Sequence, residues 1–446
     1  MSFEINIKEL DWRTLEVDAM TKSELDKLLP RADFSLKTAL ETVRPMLEQV
    51  KNKGVAALYE FARQFDSVEQ DPKNAGSGIK IPQDYLKKSW NSLSTELKDA
   101  LLEAKERITT VHLAQVPSES TTELAEGAVV RQKWFPIGRV GLYVPGGLAV
   151  YPSSVLMNAI PAKCAGIQDL IIASPPQKEF DGYIHSTIAA AAYFMDIDNV
   201  YAVGGAGAVG MFAYGVEGVP RVDTITGPGN IYVAAAKQLV QSSVGIDAVA
   251  GPTEIAIIAD DSASPEFLAA DMISQAEHDS LAAAVLFTNS EELAKNTRLA
   301  LSRRAEKTKH HERVKVALEG AQSAIVVVKS LDDAVILANA YGAEHLEIQT
   351  KKNKEITQQI TNAGAIFVGA YSPVPLGDYI GGSNHVLPTT NSSRFSSGLG
   401  VHSFLRSVQE TEYTEHALEV VRDKLVLIAN DEDLPAHGEG VLARFE

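Results

Sequence analysis

Gly138-Arg-Val-Gly-Leu-Tyr-Val-Pro-Gly-Gly147, followed by Tyr151-Pro-Ser-Ser-Val-Leu-Met-Asn-Ala-Ile-Pro-Ala-Lys163, decides the fold. Arg139 to Val144 reads as an apolar strand that ends in a glycine turn, and Ser153 to Cys164 reads as a helix. The same unit then recurs. Strands are expected at Leu170 to Ala173, Val200 to Val203 and Val222 to Thr226, with helices at His185 to Met195, from about Ala208, and at Tyr232 to Val240. After Ala250-Gly-Pro252 the alternation restarts with strands Ile255 to Ile258, Ala284 to Phe287, Ala324 to Val328, Leu346 to Ile348 and Ala365 to Val368. The helices between them read as Pro265 to His278, Glu291 to Glu319, Asp332 to Ala340 and Lys354 to Thr361. Apolar strands alternating with helices indicate parallel sheets covered on both faces. Two such runs predict two doubly wound, incomplete Rossmann-like α/β units with a cleft between them.

Outward from this centre the texture changes. Amphipathic helices are expected at Leu36 to Lys51, Val55 to Phe65 and Pro82 to Val111, with a turn-rich gap at Asp71 to Gly78. Tyr413 to Ile428 reads as helical, and acidic Asp431-Glu-Asp433 precedes His437. A tail too short to own a core must dock on its own body or on another subunit. The expected domains are an N-terminal extension 1–36, intertwined in a dimer, and a first α/β domain from 37–142 and 254–399. A second α/β domain, 143–253, lies on the nucleotide side, and a helical tail spans 400–446.

Composition bounds the function. The 446 residues suffice for two or more domains with buried cores, and 45% hydrophobic with 22% charged is ordinary for a globular protein. Net charge is -17, from 41 basic against 58 acidic residues, so there is no basic excess to neutralise nucleic-acid phosphates. Apolar runs such as Leu281 to Phe287 are too short to span a bilayer. Met1 to Trp12 carries Glu4, Glu9 and Asp11 and lacks the apolar stretch of a secretory signal. Cys164 is the single cysteine, read as a buried small hydrophobe, so a reducing, cytoplasmic setting is expected.

Three constellations carry chemistry. Ser274-Gln-Ala-Glu-His-Asp279 places an amide oxygen and an imidazole three residues apart on one helix face, which is half of a borderline-metal site. A polar helix end would look the same. The missing half has two candidates, Asp378 and His437. Gly342-Ala-Glu-His-Leu-Glu347 puts a carboxylate beside an imidazole at a strand entry. Adjacent residues of an extended segment face opposite ways, so Glu344 and His345 are expected to serve different atoms. His385 sits in a glycine-rich loop just after Asp378, a plausible binding loop. Finally, Gly205-Ala-Gly207-Ala-Val-Gly210 is a literal GxGxxG between strand and helix, although Asp223 falls at the start of the next strand, where a ribose-binding acid should not. With Gly227-Pro-Gly-Asn230 and Pro145-Gly-Gly147 it makes three glycine turns that suit an elongated anionic ligand. Tight packing between elements would also explain them.

Taken together, Tyr151 to Lys163, Gly227-Pro-Gly-Asn230, Ala250-Gly-Pro-Thr-Glu254, Ser274 to Asp279, Glu344-His345, Leu376-Gly-Asp-Tyr379, Asn384-His-Val-Leu-Pro-Thr389 and Leu434-Pro-Ala-His437 closely resemble histidinol dehydrogenase. The likeness runs in order over roughly residues 35 to 445. It implies a zinc-dependent homodimer, with one Zn2+ per subunit, that oxidises L-histidinol to L-histidine in two NAD-dependent steps, the last of histidine biosynthesis. Its active site would borrow the partner's tail. By the resemblance, Gln275, His278, Asp378 and His437 are the zinc ligands and Glu344 and His345 the acid–base pair. Thr253, His385 and Glu432 would join the ligands and His345 in contacting substrate, and Tyr143 and Asn230 would contact the nucleotide. Two positions depart from the family pattern. Gly207 stands where a cofactor-contacting glutamine is usual, and Thr253 replaces the usual serine. The alternatives are a paralogous dehydrogenase of another small primary alcohol, or a non-catalytic zinc- or nucleotide-binding protein.

Overall fold

Two parallel sheets, built outward from β4 (Arg139–Tyr143) and from β9 (Glu254–Ala259), organise the chain. The computed structural model describes residues 3–32, 35–69, 78–146 and 150–446. Gly147 of the third glycine turn and most of the 71–78 gap lie outside the described residues. The six-stranded sheet combines β1 (Lys8–Asp11), β9 (Glu254–Ala259), β10 (Ala283–Thr288), β11 (Ala324–Val327), β12 (His345–Gln349) and β13 (Ala365–Val368) in the order β1-β11-β10-β9-β12-β13. The five-stranded sheet holds β4 (Arg139–Tyr143), β5 (Asp169–Ser174), β6 (Asn199–Ala202), β7 (Thr224–Thr226) and β8 (Gly245–Ile246) in the order β6-β5-β4-β7-β8. Every pairing in both is parallel. The two next strands lie to one side of the first and the two after that to the other, so each unit has a switch point, β4/β7 or β9/β12. The expected α/β class with two doubly wound units is the observed one.

Three expectations are corrected. The helices Lys37–Lys53, Val55–Phe61, Gln83–Asn91 and Thr95–Leu113 cover the five-stranded sheet, not the unit built from 254–399. Their apolar stripes, such as Ala39, Val43, Leu47 and Val50, would fit either sheet, and periodicity alone does not say which. Residues 5–29 are no separate extension. Here β1 pairs with β11, and Trp12, Val17 and Leu25 bury in the same core as Ala256 and Ile258. Nor is the 400–446 tail only helical. It opens with β14 (Leu405–Tyr413), antiparallel to β3 (Ala128–Pro136), which also pairs with β2 (Ser120–Ala125).

Long helices also break where the chain offers new caps. The Pro82 to Val111 stretch splits at Ser94, whose hydroxyl accepts from Leu97 N–H. The Glu291 to Glu319 stretch becomes Glu291–Ala305 and His311–Glu319. Cys164 is half-buried against the core of the five-stranded unit. Among the described residues, no helix is long and apolar enough to cross a membrane.

Candidate active site

The amino ends of β9 and β12 are neighbours, in register from Ile255 with His345, and bring Thr253, Glu254, Glu344 and His345 together. The Thr253 hydroxyl donates to Glu344 Oε2 at 2.5 Å, and Glu254 N–H donates to the same oxygen at 3.0 Å. Burial pushes the Glu344 carboxyl up to about 7, against the lowering pull of these two hydrogen bonds. His345 Nδ1 lies 3.2 Å from the Glu254 carbonyl, which makes Nδ1 the protonated nitrogen. Its Nε2 is buried and has no hydrogen-bond partner. Burial lowers the His345 pKa, with Asp378 opposing, so the ring is neutral near neutrality. The expected divergence of the pair is incomplete: Glu344 precedes β12 and its Oε2 comes to 3.7 Å from His345 Nδ1, although each group keeps its own hydrogen-bond partners.

Gln275 lies in the last turn of the helix Pro265–Ala276, two residues before its cap Glu277, and His278 follows just beyond. The helix is thus shorter than expected, and His278 reaches the surface. Gln275 Nε2 donates to Thr253 Oγ1 at 2.6 Å, and its Oε1 is buried without a partner. Asp378, on the helix Val374–Tyr379, places Oδ1 4.0 Å from His345 Nε2. Its carboxyl is pushed up to about 6 by burial, with the His345 charge opposing. An orphaned amide oxygen, an imidazole and a carboxylate are donor types that suit zinc. Among the described residues, no group of three or more His, Cys, Asp or Glu is placed to hold a metal.

His437 and Glu432 are exposed on the tail and form no hydrogen bond or ion pair with these residues. His385 is engaged at both ring nitrogens. Nδ1 lies 3.1 Å from the Asp378 carbonyl and Nε2 lies 3.1 Å from Ser154 Oγ, with burial driving its pKa down to about 4. Ser154 lies in the first turn of the helix Pro152–Cys164, which follows β4, so its contact to the His385 loop links the two units. Sequence reading singled out the Tyr151 to Lys163 stretch but not Ser154 itself.

On the nucleotide side, the glycine fingerprint follows β6, the edge strand, whereas such a turn belongs after the central first strand. Asp223 sits at the opposite end of that sheet, accepting from Arg139 N–H at 2.9 Å. Gly207 is buried, and a Cβ there would lie 3.2 Å from Phe61 Cδ2 and 3.4 Å from Leu58 Cδ2. The position therefore faces a helix. The Tyr143 hydroxyl is also internal, accepting from Gly205 N–H at 3.2 Å, and burial raises its pKa to about 12. The turn at the β4/β7 switch point is Gly227 to Asn230. Gly227 has φ +114°, and a Cβ would fall 2.0 Å from the Tyr143 carbonyl oxygen, so only glycine fits. Asn230 Oδ1 caps the following helix from Tyr232 and Val233 N–H at 3.0 and 3.2 Å.

Two doubly wound units joined across a buried carboxyl–imidazole pair define an α/β enzyme equipped for proton transfer. A family model described as histidinol dehydrogenase matches residues 29–445. The histidinol dehydrogenase of Bifidobacterium longum is 51% identical over 436 residues, covering 96% of this chain and 91% of that protein. That of Mycobacterium tuberculosis is 51% identical over 432 residues, covering 96% of each. The crystal structure of histidinol dehydrogenase from Elizabethkingia anophelis superposes with a TM-score of 0.90 at 31% identity, covering 99% of this chain and 98% of that one. The chain belongs to the histidinol dehydrogenase family and is an NAD-dependent oxidoreductase.

Proposed function

We propose that the protein oxidises L-histidinol to L-histidine by way of L-histidinaldehyde, reducing two NAD molecules, at a zinc site completed by a second copy of the chain. The observation that carries this reading is the pair of buried, partnerless atoms, Gln275 Oε1 and His345 Nε2, whose side chains are linked through Thr253 and Glu344. Gln275, His278 and Asp378 would hold the zinc from one chain and His437 from the other. When bound, the metal supplies a template that anchors the imidazole and amino groups of the substrate.

The chain's own groups then divide the proton work. His345 Nε2 takes the hydroxyl proton of the alcohol while a carbon-bound hydrogen leaves as hydride to the first nicotinamide. Water adds to the resulting aldehyde, and the Glu344 carboxylate takes a proton from that water. The hydrate, ionised by that transfer, gives the second hydride to a second NAD. The carboxylic acid so formed loses its hydroxyl proton to solvent and leaves as the carboxylate. Thr253 and Glu254 N–H hold Glu344 in place by direct hydrogen bonds. Glu432 would meet the ammonium group of the substrate.

Sharing of the site between copies draws support from the tail. Its helices Glu415–Asp431 and Pro435–Leu442 pack on each other and leave Val420, Leu427 and Ile428 between 61% and 71% exposed. That apolar face needs a cover. The test is direct: purified protein given L-histidinol and NAD is expected to release L-histidine, and activity on other primary alcohols alone would overturn the substrate assignment.

A further inference from the structure

Behind the site lies a polar cluster that the proton transfers above do not use. Asp271, Glu347 and Gln349 are all buried. Gln349 Nε2 donates to Glu347 Oε2 at 2.9 Å and to Asp271 Oδ2 at 3.2 Å, and Val374 N–H donates to Glu347 Oε1 at 3.2 Å. The two carboxyl groups thus converge on one amide nitrogen. Both are acceptors only when ionised, so their crowding favours a proton on one of them. Burial, with Asp271 adjacent, holds the Glu347 carboxyl well above the usual range, which places the proton there.

The cluster joins three separate elements, each close in the chain to a site residue. Asp271 is one helical turn before Gln275. Glu347 is two residues beyond His345 on the same face of β12. Val374 opens the helix in which Asp378 lies one turn on. We propose that Asp271 and Glu347, joined through the Gln349 amide and tied to Val374 N–H, form a positioning device that holds Gln275, His345 and Asp378 in mutual register. This rests on the reading that those three side chains form the site.

Glu347→Gln keeps most of the geometry, because its amide oxygen can accept from Val374 N–H while its NH2 takes the place of Oε2 beside Asp271, and only the Gln349 bond to that oxygen is lost. Glu347→Leu fills a similar volume but cuts every link. Turnover of Glu347→Gln is expected within about threefold of wild type. Glu347→Leu is expected to lose about ten- to a hundredfold in zinc affinity, read by chelator competition, with a comparable fall in kcat and an unchanged KM for NAD. A folded Glu347→Leu with wild-type zinc affinity and kcat overturns the proposal. Should that variant not fold, Gln349→Leu, which withdraws one donor and leaves the acid pair, must show the same losses in weaker form, and wild-type values there also overturn it. His345→Asn run alongside separates the two claims: if it too retains turnover, the site reading itself fails.

Discussion

Thr253 donates its hydroxyl proton to Glu344 across 2.5 Å while accepting from Gln275 at 2.6 Å, so one hydroxyl holds both the Glu344 carboxyl and the Gln275 amide, whose oxygen is buried without a partner. Thr253→Ser keeps that hydroxyl and is expected to retain nearly full activity. Thr253→Val removes a hydrogen bond to a charged group, worth about 1.5–3 kcal/mol. Because that bond lowers the Glu344 pKa, its loss raises it further, and the acidic limb of the kcat–pH profile should move to higher pH by about one unit. A Thr253→Val profile superimposable on wild type would contradict the arrangement.

Glu344 also makes a prediction about stability. Its carboxyl titrates near 7 in the fold against an ordinary 4.5, so on raising the pH the unfolded chain releases this proton first. The stabilising contribution of the neutral group is therefore complete at low pH and is lost as pH rises toward the folded value. Glu344→Gln has no proton to lose. In metal-free protein its Tm advantage over wild type should grow between about pH 5 and about pH 8, approaching a gain on the order of 2–3 kcal/mol. Thermal melts across that range give the answer, and a gain that shrinks with pH would refute the burial argument.

Gly207 is expected to resist restoration of the glutamine usual in the family. With Phe61 3.2 Å from the Cβ position, Gly207→Gln should destabilise by about 1–3 kcal/mol through overpacking, without lowering the KM for NAD. Phe61→Ala combined with it should recover part of the Tm loss relative to the two single changes added together. An improved KM for NAD in the single variant would show that the side chain reaches the cofactor after all.

Much of this was legible in the chain, and the failures share a cause. Strands such as Ile255 to Ile258 and Ala284 to Phe287 are buried on both faces and read as continuous apolar runs. By contrast β2 and β14 are almost wholly exposed, and their partner β3 is held to β14 through charges distant in sequence, such as Arg131 with Glu410 and Glu412. No periodicity marks such strands. Within the site, Glu344, His345 and the Gln275–His278 pair announced themselves by local spacing. The Thr253 bridge and the Ser154 contact to His385 depend on pairs 22 to 231 residues apart, which only the fold supplies.

Shared sites have a signature in mixed dimers. His345→Asn and His437→Ala should each be nearly inactive alone. Co-refolded, random pairing makes half of the dimers hybrids, each with one intact site, so activity should return to about a quarter of wild type. Absence of any recovery, with hybrid dimers demonstrated, would contradict donation of His437 from the partner.

The most direct measurement is the number of NADH molecules formed per L-histidinol consumed, followed to completion with product analysis. Two NADH and one L-histidine, with no free aldehyde trapped at any time, is the expected result. One NADH with accumulating histidinaldehyde would contradict it, because Glu344 would then have no second oxidation to serve.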